Sequence, residues 1–178
     1  MIQPETSALM VVDVQEKLIP AIHQSDACVE MMCRMIEAAK VLGVPMIVTE
    51  QYPRGIGPTI DAIRKAVGDI EAIEKVRFSG CIESVIDQLR EVARPYIVIV
   101  GVETHVCVQQ TVLDLLRLGY TPYVCADAVG SRRPFDRDIA LERMRQAGAV
   151  ITTTESVTFE LLGQAATDTF RKVLKIVK

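Results

Sequence analysis

The sequence has only two histidines in 178 residues, His23 and His105, and no Cys-x-x-Cys pair. The imidazoles sit in distant segments, so local spacing builds neither a zinc site nor a dithiol redox pair, and no metal is expected. No G-x-G-x-x-G follows the first apolar run and no P-loop occurs, which leaves dinucleotide and nucleoside triphosphate cofactors without their motifs. No stretch approaches the roughly 20 apolar residues of a membrane span. The opening Met1-Ile2-Gln3-Pro4-Glu5 lacks the basic start and apolar run of a signal peptide. Positive charge is not in excess, since 20 Lys and Arg stand against 23 Asp and Glu. Nucleic acid binding, which rests on clustered cations, is therefore not expected. The basic stretch Arg171-Lys172 with Lys175 and Lys178 reads as a solvated helix face. Five cysteines are an odd number, with spacings that fit no disulfide framework. Reduced thiols and a cytoplasmic location follow as the economical expectation.

What is present is apolar. Hydrophobic residues make up 49% of the chain and mean hydropathy is positive. That is enough for one domain over residues 1–178 with a sizeable core. The apolar excess suggests burial between subunits, as in a homo-oligomeric dimer or tetramer.

The run Ala8 to Val14 (ALMVVDV) predicts a strand buried on both faces, with one carboxylate in it. Asp26 can cap a helix that runs with apolar helical spacing to about Leu42 and ends at Gly43, a position suited to a C-cap glycine. Residues 45–49 read as a second strand, and 50–58 (EQYPRGIGP) as a loop dense in Gly and Pro. Short helices are predicted over 60–67 and 82–92. Pro95 to Val100 (PYIVIV) is a third strand, followed by a helix over 104–118. A strand over 122–126, a helix over 136–146, a strand over 149–152 and helices over 156–162 and 168–177 complete the chain. Apolar strands alternating with helices predict an α/β fold: three layers, αβα, around an open, mostly parallel sheet with helices on both faces. Ligands of such sheets bind beyond the C-terminal strand ends, where strand order reverses.

That rule selects reactive residues just after strands: Asp13, then Glu50 and Gln51, then Glu103, Thr104, His105 and Cys107, then Asp127. With Thr104 as a cap, Cys107 falls in the first helical turn, where the dipole and free N–H groups lower a thiol pKa. The same N–H groups suit the oxyanion of a tetrahedral intermediate. A free cysteine is as readily a small core residue. Asp13 sharpens the choice, because a carboxylate in a buried apolar strand is costly unless paired or used. It is placed to accept the thiol proton. A cation beside the pair would hold it together, and spacing alone leaves both Lys75 and Arg77 open. Cys28 and Cys33 lie five apart on one helix, Cys125 sits inside a strand, and Cys81 lies in a loop near Lys75.

Five ordered blocks resemble the isochorismatase-like cysteine hydrolases, in the branch of isochorismatase-domain-containing proteins. They are Val11-Val12-Asp13-Val14-Gln15, Thr49-Glu50-Gln51-Tyr52-Pro53, Glu74-Lys75-Val76-Arg77-Phe78-Ser79 and Gly101-Val102-Glu103-Thr104-His105-Val106-Cys107-Val108. The last joins Asp127-Ala128 and Ser131-Arg132 to Arg143-Met144-Arg145-Gln146-Ala147-Gly148-Ala149. The resemblance implies an Asp–Lys–Cys triad of Asp13, Lys75 and Cys107, and so selects Lys75 over Arg77. It implies a cis peptide at Val102–Glu103 and an oxyanion hole from the N–H groups of Glu103 and Cys107. It also implies a thioacyl route for hydrolysing C–N bonds of a small non-peptide amide or related acyl compound, with no cofactor. Gln15, Gln51, Tyr52, Phe78 and His105 are the expected substrate-binding residues. Nicotinamidases of this superfamily place an Asp and histidines after the second strand to bind metal. Here Glu50-Gln51-Tyr52-Pro53 has no histidine, which argues against that route. The vinyl ether cleavage that names the family does not need the cysteine, and is not indicated with Cys107 present. Two competing readings remain. One is an oligomeric scaffold or partner-binding protein that retains the pocket, and the other is a redox-sensing thiol, for which no resolving cysteine is apparent.

Overall fold

The segment Ser7–Val12 forms β1, and all six of its residues are buried, as its unbroken apolar composition requires. The structure is a computed structural model and describes residues 1–178. After β1 come α1 (Ser25–Leu42), β2 (Met46–Gln51), α2 (Pro53–Ile56), α3 (Asp61–Val67), β3 (Ile73–Lys75), α4 (Glu83–Val92) and β4 (Tyr96–Val102). A π-type turn, Thr104–Val108, leads into α5 (Gln109–Arg117). Then follow β5 (Thr121–Gly130), α6 (Pro134–Gln146), β6 (Val150–Thr152), α7 (Thr154–Leu162) and α8 (Asp168–Val177). The strands are ordered β3-β2-β1-β4-β5-β6, and every neighbouring pair is parallel.

Alternation along β1 divides the core. Leu9 and Val11 face one way, against Met32, Met35 and Ile36 of α1, Ile63 of α3 and Val157 of α7. Ala8, Met10 and Val12 face the other way, against Leu89 of α4, Val112 and Leu115 of α5 and Met144 of α6. The result is the three-layer α/β arrangement that the strand composition predicts. No helix is long and apolar enough to cross a membrane.

Several boundaries differ from the sequence expectation. β1 stops at Val12, and Asp13 turns out of it with φ of 52°. β2 runs on through Gln51, and the supposed loop contains the single turn α2. There Gly55 packs under the Tyr52 ring, where a Cβ would lie 2.5 Å from ring carbons. β3 escapes pattern reading because it is only three residues long, Ile73-Glu74-Lys75, with two of the three charged. β5 continues to Gly130, so Asp127 lies inside the strand and does not follow it. Its carboxylate accepts from Thr154 N and Thr154 Oγ1, at 2.9 and 3.1 Å, at the start of α7. Asp26 is in the first turn of α1, with Gln24 at the cap position.

Candidate active site

Strand order reverses between β1 and β4, and the chain is drawn together at their C-terminal ends. Gly101 has φ of +128°, and a Cβ on it would lie 2.1 Å from the Val12 carbonyl oxygen, so only glycine allows this approach. Just beyond Val12, the left-handed backbone of Asp13 aims its carboxylate into the crevice. Asp tolerates this conformation better than most residues. Thr49 on β2 supports it twice, accepting from Asp13 N at 3.2 Å and donating Oγ1 to Asp13 Oδ1 at 2.7 Å.

β3 pairs with the end of β2 so that Lys75 stands opposite Gln51. Lys75 Nζ donates to Asp13 Oδ2 at 2.6 Å, Gln51 Oε1 at 2.8 Å, Phe78 O at 3.0 Å and Arg77 O at 3.2 Å. Both side chains of the ion pair are fully buried. Desolvating two such charges is expensive, and the ring of oxygens around Nζ, with Thr49 on the acid, offsets part of that cost. Arg77, which spacing left as an alternative, contributes only its carbonyl to this cluster.

Cys107 lies in the π-type turn and is 5% exposed. The carbonyl of Glu103 accepts from Val106 N and Val108 N but not from the Cys107 N–H between them. The Val102–Glu103 peptide that enters the turn is cis. Thr111 Oγ1 donates to Cys107 O at 2.6 Å and accepts from Gly80 N at 2.7 Å, joining the cysteine turn to the loop after Lys75. Thr104 does not cap the helix, since its buried hydroxyl has no partner.

The thiol is also not the low-pKa group that a helix N-terminus suggests. Burial pushes Cys107 up to about 12, the Asp13 charge pushes the same way, and Lys75 opposes them. Desolvation and a neighbouring carboxylate outweigh the backbone dipoles. The resting group is a thiol beside a carboxylate that can take its proton. Burial likewise raises Cys28 and Cys81, each to about 11, and raises Cys125. Cys107 alone among these faces Asp13 and Lys75.

Two residues expected to meet substrate do other work. Gln15 is fully buried, its Nε2 donating to Gln51 O and Gly57 O at 3.0 and 2.6 Å and its Oε1 accepting from Gln51 N at 2.7 Å. Gln51 gives its Oε1 to Lys75 and its Nε2 to Val76 O at 2.8 Å. Their amides are committed, and they hold Lys75 in place. The expected lining residues Tyr52 and Phe78 remain exposed, at 52% and 54%. Tyr52, with Arg54, Val76 and Arg77, borders a cavity of about 500 Å³ that reaches the backbone of Lys75. His105 is half-buried, with Nδ1 2.9 Å from Ser131 Oγ. No group of three or more His, Cys, Asp or Glu side chains converges as a metal site would require.

Sequence reading missed Thr49 and Thr111, small polar residues whose role appears only when two strand ends and a helix meet. The available signal is a hydroxyl residue directly after the apolar run Met46-Ile47-Val48 of the second strand.

The isochorismatase domain model matches residues 7–156. Isochorismatase family protein 1B of Dictyostelium discoideum is 41% identical over 182 residues, covering 99% of this chain and 88% of that protein. A Caenorhabditis elegans structure described as the MAR1 ribonuclease superposes with a TM-score of 0.94 at 39% identity, covering 99% of this chain and 91% of that one. The YcaC product of Escherichia coli, described as an octameric hydrolase of unknown specificity, shares the fold with a TM-score of 0.87 at 24% identity, over 99% of this chain and 86% of its own. The matched span runs from the first residue of β1 to the start of α7, and so contains Asp13, Lys75 and Cys107 together: this chain belongs to the isochorismatase family.

Proposed function

We propose that the protein is a cysteine hydrolase that cleaves a small amide or related acyl compound, with Cys107 as nucleophile, Asp13 as acid–base and Lys75 as the fixed cation. The observation that carries this reading is the fully buried Asp13–Lys75 pair, joined at 2.6 Å, whose charges act on the Cys107 thiol. A buried ion pair is a poor stabiliser compared with apolar packing, so its presence beside a thiol favours a chemical role.

As Cys107 Sγ attacks the carbonyl carbon, its proton passes to the Asp13 carboxylate. The carbonyl π electrons move to oxygen, where the N–H groups of Glu103 and Cys107 receive the developing charge. Collapse of the tetrahedral species expels the amine, which takes the proton from Asp13, and a thioester remains on sulfur. Water then attacks the thioester while Asp13 accepts one of its protons. The acid is released, and the proton returns to Cys107 sulfur. Lys75 keeps a positive charge against Asp13 and its backbone oxygens throughout, and limits the charge separation in each step. No metal or cofactor enters the scheme.

The octameric relative supports a homo-oligomer as part of this reading, which light scattering on the purified chain would check. Turnover of a panel of small amides by the parent and by Cys107→Ala is the direct test. Product formed by the parent and lost in Cys107→Ala is the expected result. Product that persists in Cys107→Ala overturns the nucleophile. A folded parent inactive on every amide favours the scaffold reading, while cleavage of RNA in the same screen would point to the activity for which the nematode relative is named.

A further inference from the structure

The loop after β5 reaches back over the cysteine turn with two consecutive residues. Ser131 Oγ lies 2.9 Å from His105 Nδ1, and Arg132 Nε donates to Glu103 Oε2 at 2.8 Å. The arginine side chain is 61% exposed and the glutamate only 13%, so the carboxylate is the group that needs a partner. Glu103 stands at the head of the turn that carries Cys107, and its backbone N–H is one of the two placed above at the developing oxyanion. A bare carboxylate at that point would oppose negative charge on sulfur and on the oxyanion alike.

We propose that Arg132 is a positioning residue that neutralises the Glu103 carboxylate, so that the cysteine turn can accept the negative charge formed in the reaction. The proposal rests on the hydrolase reading for its purpose, but the charge it describes can be read on the thiol without any substrate. The charges acting on Cys107 are Asp13 from the end of β1, Lys75 from β3 and, smallest of the three, Glu103 itself. The titratable His105, in the same turn, is held on Ser131. Asp13 already has a cation of its own in Lys75, and Arg132 gives Glu103 the equivalent.

The test is the rate of Cys107 carbamidomethylation by iodoacetamide, followed by mass spectrometry between pH 7 and 10 at low salt. It compares the parent, Arg132→Ala, Glu103→Gln and the double variant, with melting temperatures as a check on folding. Below the titration of the thiol, the rate follows the thiolate fraction, and one pKa unit is tenfold. Arg132→Ala, which exposes the glutamate charge, should slow alkylation about threefold to tenfold. Glu103→Gln, which leaves the guanidinium uncompensated, should speed it about threefold. Adding Glu103→Gln to Arg132→Ala should bring the rate back to within about twofold of the parent. A merely structural contact predicts the opposite for that last step, since both single changes break the same bond and the double variant would not recover. An unchanged rate in Arg132→Ala, or failure of the second substitution to restore it, overturns the proposal. If the chain cleaves no amide, the order of these rates still decides the matter.

Discussion

Replacing Lys75 with methionine keeps an unbranched apolar stem and removes the ammonium, and the structure says what that should cost. Asp13 would keep the Thr49 hydroxyl at 2.7 Å but lose a cation at 2.6 Å, in a place where both side chains have no solvent contact. Gln51 Oε1 and the carbonyls of Arg77 and Phe78 would lose their donor as well. Breaking a buried pair from one side costs about 3–5 kcal/mol, because the remaining charge is left uncompensated. For a chain of this size, each kcal/mol moves Tm by about 2–4 °C, so a drop of roughly 6–20 °C is expected. Urea unfolding at neutral pH measures the difference directly, and should show a lower midpoint with an unchanged m-value. Asp13→Asn should also destabilise, but the double variant should cost at least about 2 kcal/mol less than the sum of the two, because neither charge is then stranded. Additive losses, or a Lys75→Met chain within about 1 kcal/mol of the parent, would refute the claim that the pair is held as buried charges.

Three other outcomes follow. Asp13→Asn removes the charge that adds to burial in raising the Cys107 thiol; iodoacetamide labelling of Cys107 near pH 9 should therefore become faster, while any amide turnover should fall by at least about a hundredfold if Asp13 is the general base of the proposed mechanism. Cys28, Cys81, Cys107 and Cys125 all titrate higher in the fold than the ordinary value of 9.0. The unfolded chain then binds fewer protons as pH rises past 9, and stability falls in that direction by about 1 kcal/mol per thiol at pH 10. Urea midpoints from pH 7 to 10.5 check the sign, and a flat profile would contradict it. Gly101→Ala should destabilise by at least about 3 kcal/mol or prevent folding, since its Cβ would meet the Val12 carbonyl at 2.1 Å and φ is +128°; thermal melting of the purified variant decides.

The layered architecture could be read because burial on both faces of a parallel sheet leaves an unmistakable mark, the continuous runs of β1 and β4, each followed by a helix of the right length and its glycine stop. The crevice rule points to Asp13 and Cys107, and the family resemblance selects Lys75. Position alone does not say what Gln15 and Gln51 do, since a glutamine at a strand end looks the same whether its amide faces a ligand or a neighbouring backbone. The π-type geometry of the cysteine turn also lay beyond reach, as did the burial and the Asp13 contact that raise the thiol. Helical spacing over 104–118 does not distinguish five residues of wider turn from an α-helical start.

Composition and pattern determined five of the six strands, the two helical layers and most of the reactive side chains at the C-terminal edge of the sheet, because those follow from local hydrophobic periodicity. Only the tertiary structure decided that Lys75 is caged on Asp13, that Gln51 and Thr49 hold that pair, and that Arg132 covers Glu103. Each of those contacts joins segments 24 to 62 residues apart. Their energies depend on distance and desolvation, quantities that no one-dimensional pattern records.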